Sequence, residues 1–314
     1  MQDSALRSFV NSSIRYRWSS ALAVLGYAAI FLLLMYSQTQ ETEPHLSINY
    51  FFSPADNFNP GVLNYFLSLG AFTLCVYLYD SYADATYEKI RGRNAHSSNK
   101  TAPWRFLTLS ISFGLFAIYI AEPLGVLAKH RGLFGFGAIF IAFYFSPFAT
   151  KIKNIGLFAL PIKWIYVSTL ITVAVVTFIS SFLTLNNLKA HPLSFYCSTI
   201  QLFLLVLGNL VLSDFKDSRI DSTDDRKAQF SFGYSGAKLL LLILMLLWVS
   251  TSLVRNDSIS LLEIAPGIFC FGVLLLGLST KNKLFLSTIM ADLSPLTFLV
   301  IREAILFYWD TVRL

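Results

Sequence analysis

The sequence predicts an all-α polytopic membrane protein, a bundle of about nine transmembrane helices, and three observations carry that prediction. Apolar residues make up 55% of the chain against 13% charged, and the mean hydropathy is +0.60, far from the averages of soluble domains. Apolar stretches close to the roughly 20 residues that cross a bilayer recur along the whole chain. Basic residues gather in alternate loops, as they do where Lys and Arg are retained on the cytoplasmic side.

The nine stretches run, in order, over residues 19–36, 62–80, 106–128, 134–150, 164–183, 195–214, 234–254, 259–280 and 284–308. Ahead of the first, eighteen residues including Arg15 and Arg17 are basic but lack the early apolar core of a cleavable signal, and read as a cytoplasmic amphipathic lead-in. The 37–61 loop carries Glu41, Glu43 and Asp56 with no basic residue, which places it outside. The second stretch ends at Asp80 and the sixth at Asp214. In the third, Glu122 precedes Pro123 near the outer end. Lys238 can snorkel from the inner end of the seventh, Glu263 starts the eighth, and Arg302 with Glu303 approaches the outer end of the ninth. Asp292, about eight residues into the last stretch beside Ser294 and Pro295, is harder to place at an interface and is a candidate to face a cavity and contact an acceptor. With the N-terminus inside, the cytoplasmic loops hold seventeen Lys and Arg and the outer ones five.

Two acidic clusters fall where apolar stretches meet polar loops on that basic side: Asp80, Asp84 and Glu88, then Asp214, Asp217 and Asp221. Spacings of three and four bring carboxylates to one face of a helix. Uncompensated, they repel at the edge of a low-dielectric slab, and hard divalent ions such as Mg²⁺ relieve this. Mg²⁺ near lipid points to a phosphorylated lipid. Cys75, Cys197 and Cys270 lie within apolar stretches as free thiols. His45, His96, His130 and His191 sit in separate loops without metal-ligand spacing, and no serine-hydrolase elbow, phosphate-binding glycine loop or dinucleotide fingerprint is present.

The order of the clusters, Asp80-Ser-Tyr-Ala-Asp84-Ala-Thr-Tyr-Glu88 and then Asp214-Phe-Lys-Asp217-Ser-Arg-Ile-Asp221, resembles the UbiA superfamily of intramembrane prenyltransferases over nearly the whole chain. The resemblance implies one membrane-embedded domain over 1–314, nine helices, and one acidic motif after the second helix and another after the sixth. It implies two Mg²⁺ between them, holding the diphosphate of an isoprenyl donor. Asp80 stands where the family usually has Asn, and Glu88 where it has Asp. After the fourth stretch the family often has a Tyr with a basic residue four positions on; here Tyr144 is followed by Phe148, and the lysines come later, at Lys151 and Lys153.

On that resemblance Asp84, Asp217 and Asp221 are the core catalytic metal ligands, with Asp80, Glu88 and Asp214 as additional ligands. Arg91, Arg93, Lys151, Lys153 and Tyr144 are the candidates to bind the donor diphosphate. Tyr77, Tyr79, Tyr82, Phe140, Phe143, Phe203 and Tyr234 join Tyr144 as candidate walls that shield an allylic cation. The polar 94–101 loop could close over the site. The implied reaction transfers a prenyl group to a hydrophobic acceptor, aromatic or quinone-precursor-like, in an inner membrane of bacterial type with the site facing the cytoplasm and no nucleic-acid partner. A terpene cyclase of the same superfamily, a phosphoribosyl-transferring branch, and a transporter are the alternatives; transport would place polar groups along a midplane path, whereas here they gather at one face.

Overall fold

The structure is a computed structural model, and it describes residues 18–36, 60–90, 103–121, 159–185, 192–220, 233–255, 261–279 and 284–313, with the single positions 125, 128, 131 and 139. The described segments are eight helices: α1 (Trp18–Tyr36), α2 (Pro60–Ile90), α3 (Pro103–Ala121), α4 (Ala159–Leu185), α5 (Pro192–Ile220), α6 (Gly233–Arg255), α7 (Leu261–Ser279) and α8 (Leu284–Arg313). They coincide with eight of the nine predicted stretches; the fourth, 134–150, lies outside the described residues apart from position 139. Every described element is helical, so the backbone bonds close within each segment as a bilayer demands. Six of the helices are long and apolar enough to cross a membrane, and α1 contributes a shorter apolar core over Ser19–Met35.

The helix at the centre is the one with no charge. α1 is apolar on all sides, which suits burial on all sides, and Tyr27, Ile30, Phe31, Leu32, Leu33 and Met35 are almost wholly buried. It packs on α2, α4, α5 and α8, while α5 packs on α1, α4, α6, α7 and α8. Close approach is set by small residues: a Cβ at Gly26 of α1 would stand 3.0 Å from Pro295 Cβ of α8. Several polar side chains within the apolar zone donate to backbone carbonyls. Ser68 Oγ donates to Ala117 O at 2.9 Å and Ser110 Oγ to Cys75 O at 2.7 Å, which fixes α2 and α3 as an antiparallel pair. The outward faces are apolar: Ile111, Leu115 and Phe116 on α3, Leu239, Leu246 and Val254 on α6, and Val300 and Phe307 on α8 are exposed. Such faces match lipid and would be a liability in water.

The charges at the outer ends of the seventh to ninth stretches are turned into the bundle. Arg255, Glu263 and Arg302 are all buried. Arg255 Nη2 pairs with Glu263 Oε1, and Arg255 Nη1 donates to Ser198 Oγ at 3.0 Å and to Gln201 Oε1 at 3.1 Å. Gln201 Nε2 donates in turn to Ser252 Oγ at 2.6 Å, and Arg302 Nη1 pairs with Glu303 at 3.3 Å. This polar knot joins α5, α6 and α7, because a helix end that abuts three neighbours need not meet solvent.

Beside it, Trp248 is fully buried and edge-on to Phe271 and Phe298, with ring centroids 6.5 and 5.8 Å away. A Cβ at Gly267 would overlap the Trp248 indole, approaching Cδ1 to 2.7 Å. Gly267→Ala is therefore expected to lower stability by about 1–3 kcal/mol, the usual range for overpacking. Thermal melting in detergent checks this, and an unshifted melt would mean that the indole can step aside.

Candidate functional site at the acidic end of the bundle

Whether the two acidic clusters meet depends on the relative directions of α2 and α5, and α1 is the common reference. Leu25 of α1 meets Gly70 of α2, while Ala21 shares an apolar cluster with Leu74 and Leu78, so α1 and α2 are antiparallel. Phe31 meets Phe195 of α5, with ring centroids 6.2 Å apart, and Tyr27 Oη accepts from Asn209 Nδ2 at 2.6 Å, so α1 and α5 are antiparallel as well. Hence α2 and α5 run parallel. Their C-terminal ends, which carry Asp80, Asp84 and Glu88 and then Asp214 and Asp217, lie at the same end of the bundle.

The clusters were expected on one helix face where apolar stretches meet polar loops, and both helices run on past those stretches. α2 continues ten residues past Asp80, and α5 six past Asp214. Asp80, Asp84 and Glu88 thus sit on one continuous helix, at the same-face spacing that Thr73 and Tyr77 begin. Asp214 and Asp217 lie on α5, and Asp221 follows Ile220, the last residue of that helix. The end on which they sit matters electrostatically. A helix C-terminus carries a partial negative charge, so a carboxylate there is disfavoured by about 0.3–1 kcal/mol. Glu88 and Asp217 occupy the last turns of α2 and α5. Capping would place such acids at the N-terminus, where the helix dipole favours them.

Of the predicted site side chains, Asp80 is the one described, and it is half-buried. It stands in the wall of a cavity between α1, α2 and α4, lined also by Val24, Phe72, Thr73, Val76, Tyr77, Val167, Leu170, Ile171 and Ala174, with about 680 Å³ of space, mouth included. The lining, apolar with a few polar groups, is of the kind that small-molecule sites use. Thr73 Oγ1 is occupied in donating to Leu69 O at 2.8 Å, so the hydroxyl adds little polarity to the wall. The side chains of Asp84, Glu88, Asp214 and Asp217, and the whole of Asp221, Arg91, Arg93, Tyr144, Lys151, Lys153, Phe140, Phe143 and the 94–101 loop, lie outside the described residues.

Of the other predicted wall aromatics, Tyr77 lines the cavity, but Tyr79 is exposed and packs on Tyr82 with ring centroids 5.9 Å apart. Phe203 and Tyr234 are half-buried elsewhere, on α5 and α6. Asp292 is half-buried on α8 and does not line this cavity. Lys238, expected to snorkel towards the interface, holds its ammonium 4.5 Å over the Tyr234 ring, which also packs on Phe215, adjacent in sequence to Asp214. Sequence reasoning also passed over Lys163 as a topology signal. It is half-buried near the start of α4; Phe178 meets Phe72, and Val167 to Ala174 face Phe72 to Asp80 across the cavity, so α4 runs antiparallel to α2 and brings that lysine to the acidic end. Its one signal was position, just before an apolar stretch on the basic side.

No known family model matches the chain, and no characterised protein sequence does. Among solved structures the chain is similar to one of digeranylgeranylglyceryl phosphate synthase in membranes, at 14% identity and a TM-score of 0.48, over 92% of this chain and 97% of that one.

Proposed function

We propose that the protein is an intramembrane prenyltransferase that ionises an isoprenyl diphosphate and passes the prenyl group to a hydrophobic acceptor. The parallel course of α2 and α5, which carries two acidic motifs to one end of the bundle beside a mostly apolar cavity, supports this reading most directly. In it Asp84, Asp217 and Asp221 hold the metal, with Asp80, Glu88 and Asp214 completing the set. Mg²⁺ bound there supplies positive charge to the departing diphosphate. The chain's own cations do the rest of the charge work: Lys151, Lys153, Arg91 and Arg93, joined by Lys163, bind the diphosphate oxygens and offset the charge that builds as the carbon–oxygen bond breaks. Tyr77 and the aliphatic wall exclude water and shield the allylic cation until the acceptor attacks. The acceptor is aromatic or quinone-precursor-like, and the site faces the cytoplasm.

The test is diphosphate release by purified protein given Mg²⁺ and isoprenyl diphosphates from geranyl upward, without and then with membrane lipid extract. Acceptor-dependent release is the expected result. Release without acceptor, with a cyclic hydrocarbon or alcohol product, would assign a terpene cyclase instead, and no release from any donor would overturn the reading. Within the same assay, Lys153→Ala is expected to raise the donor concentration for half-maximal rate about tenfold, the cost of losing roughly 1.4 kcal/mol of charge-assisted contact. An unchanged response would move the clamp to Lys151, Lys163 or the arginines.

A further inference from the structure

Pro295 stands in the interior of α8, and a proline there has no N–H for the carbonyl four residues back. The Ala291 carbonyl therefore lacks its ordinary partner within the apolar zone, where an unmet backbone group is costly. Two side chains meet it: Ser294 Oγ from the same helix at 2.9 Å, and Asn209 Nδ2 from α5 at 2.8 Å. The second hydrogen of that amide goes to Tyr27 Oη of α1 at 2.6 Å. One buried residue thus ties three helices at one level, with both its donors used. On the other side of α5, a Cβ at the neighbouring Gly208 would stand 3.0 Å from Phe271 and 3.1 Å from Leu274 of α7, so the helix is held there by packing. Asn209 precedes Asp214 by five residues and Asp217 by eight on the same helix, about 7.5 and 12 Å at 1.5 Å per residue. The hydrogen bonds of Ser198 and Gln201 lie two turns or more further from those carboxylates.

We propose that Asn209 is a positioning residue for the acidic site: its hold on the Ala291 carbonyl and on Tyr27 sets the height and rotation of the stretch of α5 that carries Asp214 and Asp217. The proposal rests on the reading above that these carboxylates bind Mg²⁺, an ion whose octahedron tolerates little displacement of its ligands. A helix cap and a positioning residue differ in one consequence. A cap is needed only because Pro295 frees the carbonyl, and Pro295→Ala returns an N–H to it within α8. The tie between α5 and α8 would still be missing from a chain without the Asn209 amide.

The experiment follows melting of the full chain in one detergent, in chelator and then across Mg²⁺ concentrations, for wild type, Asn209→Leu, Pro295→Ala and the double variant. Binding to the folded state raises the melting temperature, so the Mg²⁺ concentration at which the rise sets in reads affinity without any turnover. Asn209→Leu should melt earlier in chelator and need about tenfold more Mg²⁺, the lower end for residues that orient metal ligands. Pro295→Ala, which keeps the amide, should need the wild-type concentration. The double variant should regain most of the melting temperature in chelator and still need about tenfold more Mg²⁺; it decides the matter if Asn209→Leu alone does not fold. A double variant with the wild-type Mg²⁺ requirement reduces Asn209 to a cap, which overturns the proposal and leaves the proposed function standing. A wild type whose melting ignores Mg²⁺ overturns the metal reading and the proposal with it.

Discussion

Diphosphate release by Asp217→Asn is expected to fall about 10²- to 10³-fold, the loss seen when one preorganised group that stabilises developing charge is removed. The same substitution should raise stability in chelator. Asp217 lies in the last turn of α5, where an uncompensated carboxylate opposes the helix dipole, and neutralising it recovers about 0.3–1 kcal/mol. Mg²⁺ reverses the order: a ligand that binds only the folded state stabilises it by mass action, so wild type should gain melting temperature with Mg²⁺ and Asp217→Asn should gain much less. Asp84→Asn should lose activity and the Mg²⁺ response alike but show no gain in chelator, because Asp84 lies before the last turn of α2. A purely solvated carboxylate would show neither the activity loss nor the missing Mg²⁺ response. Wild-type turnover by either variant would remove that residue from the site.

Much of this was legible in the sequence because a bilayer forces the hydropathy signal. The fifth stretch, predicted over 164–183, is the apolar part of Ala159–Leu185, and the seventh, over 234–254, is nearly the whole of Gly233–Arg255. Hydropathy marks where a helix leaves the membrane, not where it ends, so it left open how far α2 continues through Ala83, Ala85 and Glu88, residues of good helix propensity. Nor does it show that helix packing buries the side chains of Arg255, Glu263 and Arg302. The motifs were readable because carboxylates are rare in apolar sequence. The cavity was not: Val24, Val167, Leu170 and Ala174 are unremarkable as apolar residues, and only the packing of α1 and α4 against α2 selects them from dozens like them. Tyr79 and Phe203 show the converse, aromatics chosen by type that the helix faces turn elsewhere.

The buried knot at the other end of the bundle gives the second large effect. Phe215 meets Tyr234 and Gln201 meets Ser252, so α6 runs antiparallel to α5 and puts Arg255 beside the N-terminal part of α5, far from Asp217. Glu263→Ala is expected to destabilise the protein by about 3–5 kcal/mol, because it leaves the Arg255 guanidinium buried and unpaired. Arg255→Leu should cost less, because Glu263 still feels the charge of Arg302, while the Gln201 carbonyl loses its donor. The double variant Arg255→Leu with Glu263→Leu should lose much less than the sum, since exchanging a buried ion pair for apolar packing is often close to neutral. Melting of the four proteins in one detergent measures the coupling. Additive losses would mean that the two charges are solvated independently. Strong coupling would instead make the pair a lock between α6 and α7, held by α5 through Ser198 and Gln201, that fixes the helix carrying Asp214 and Asp217 from its opposite end.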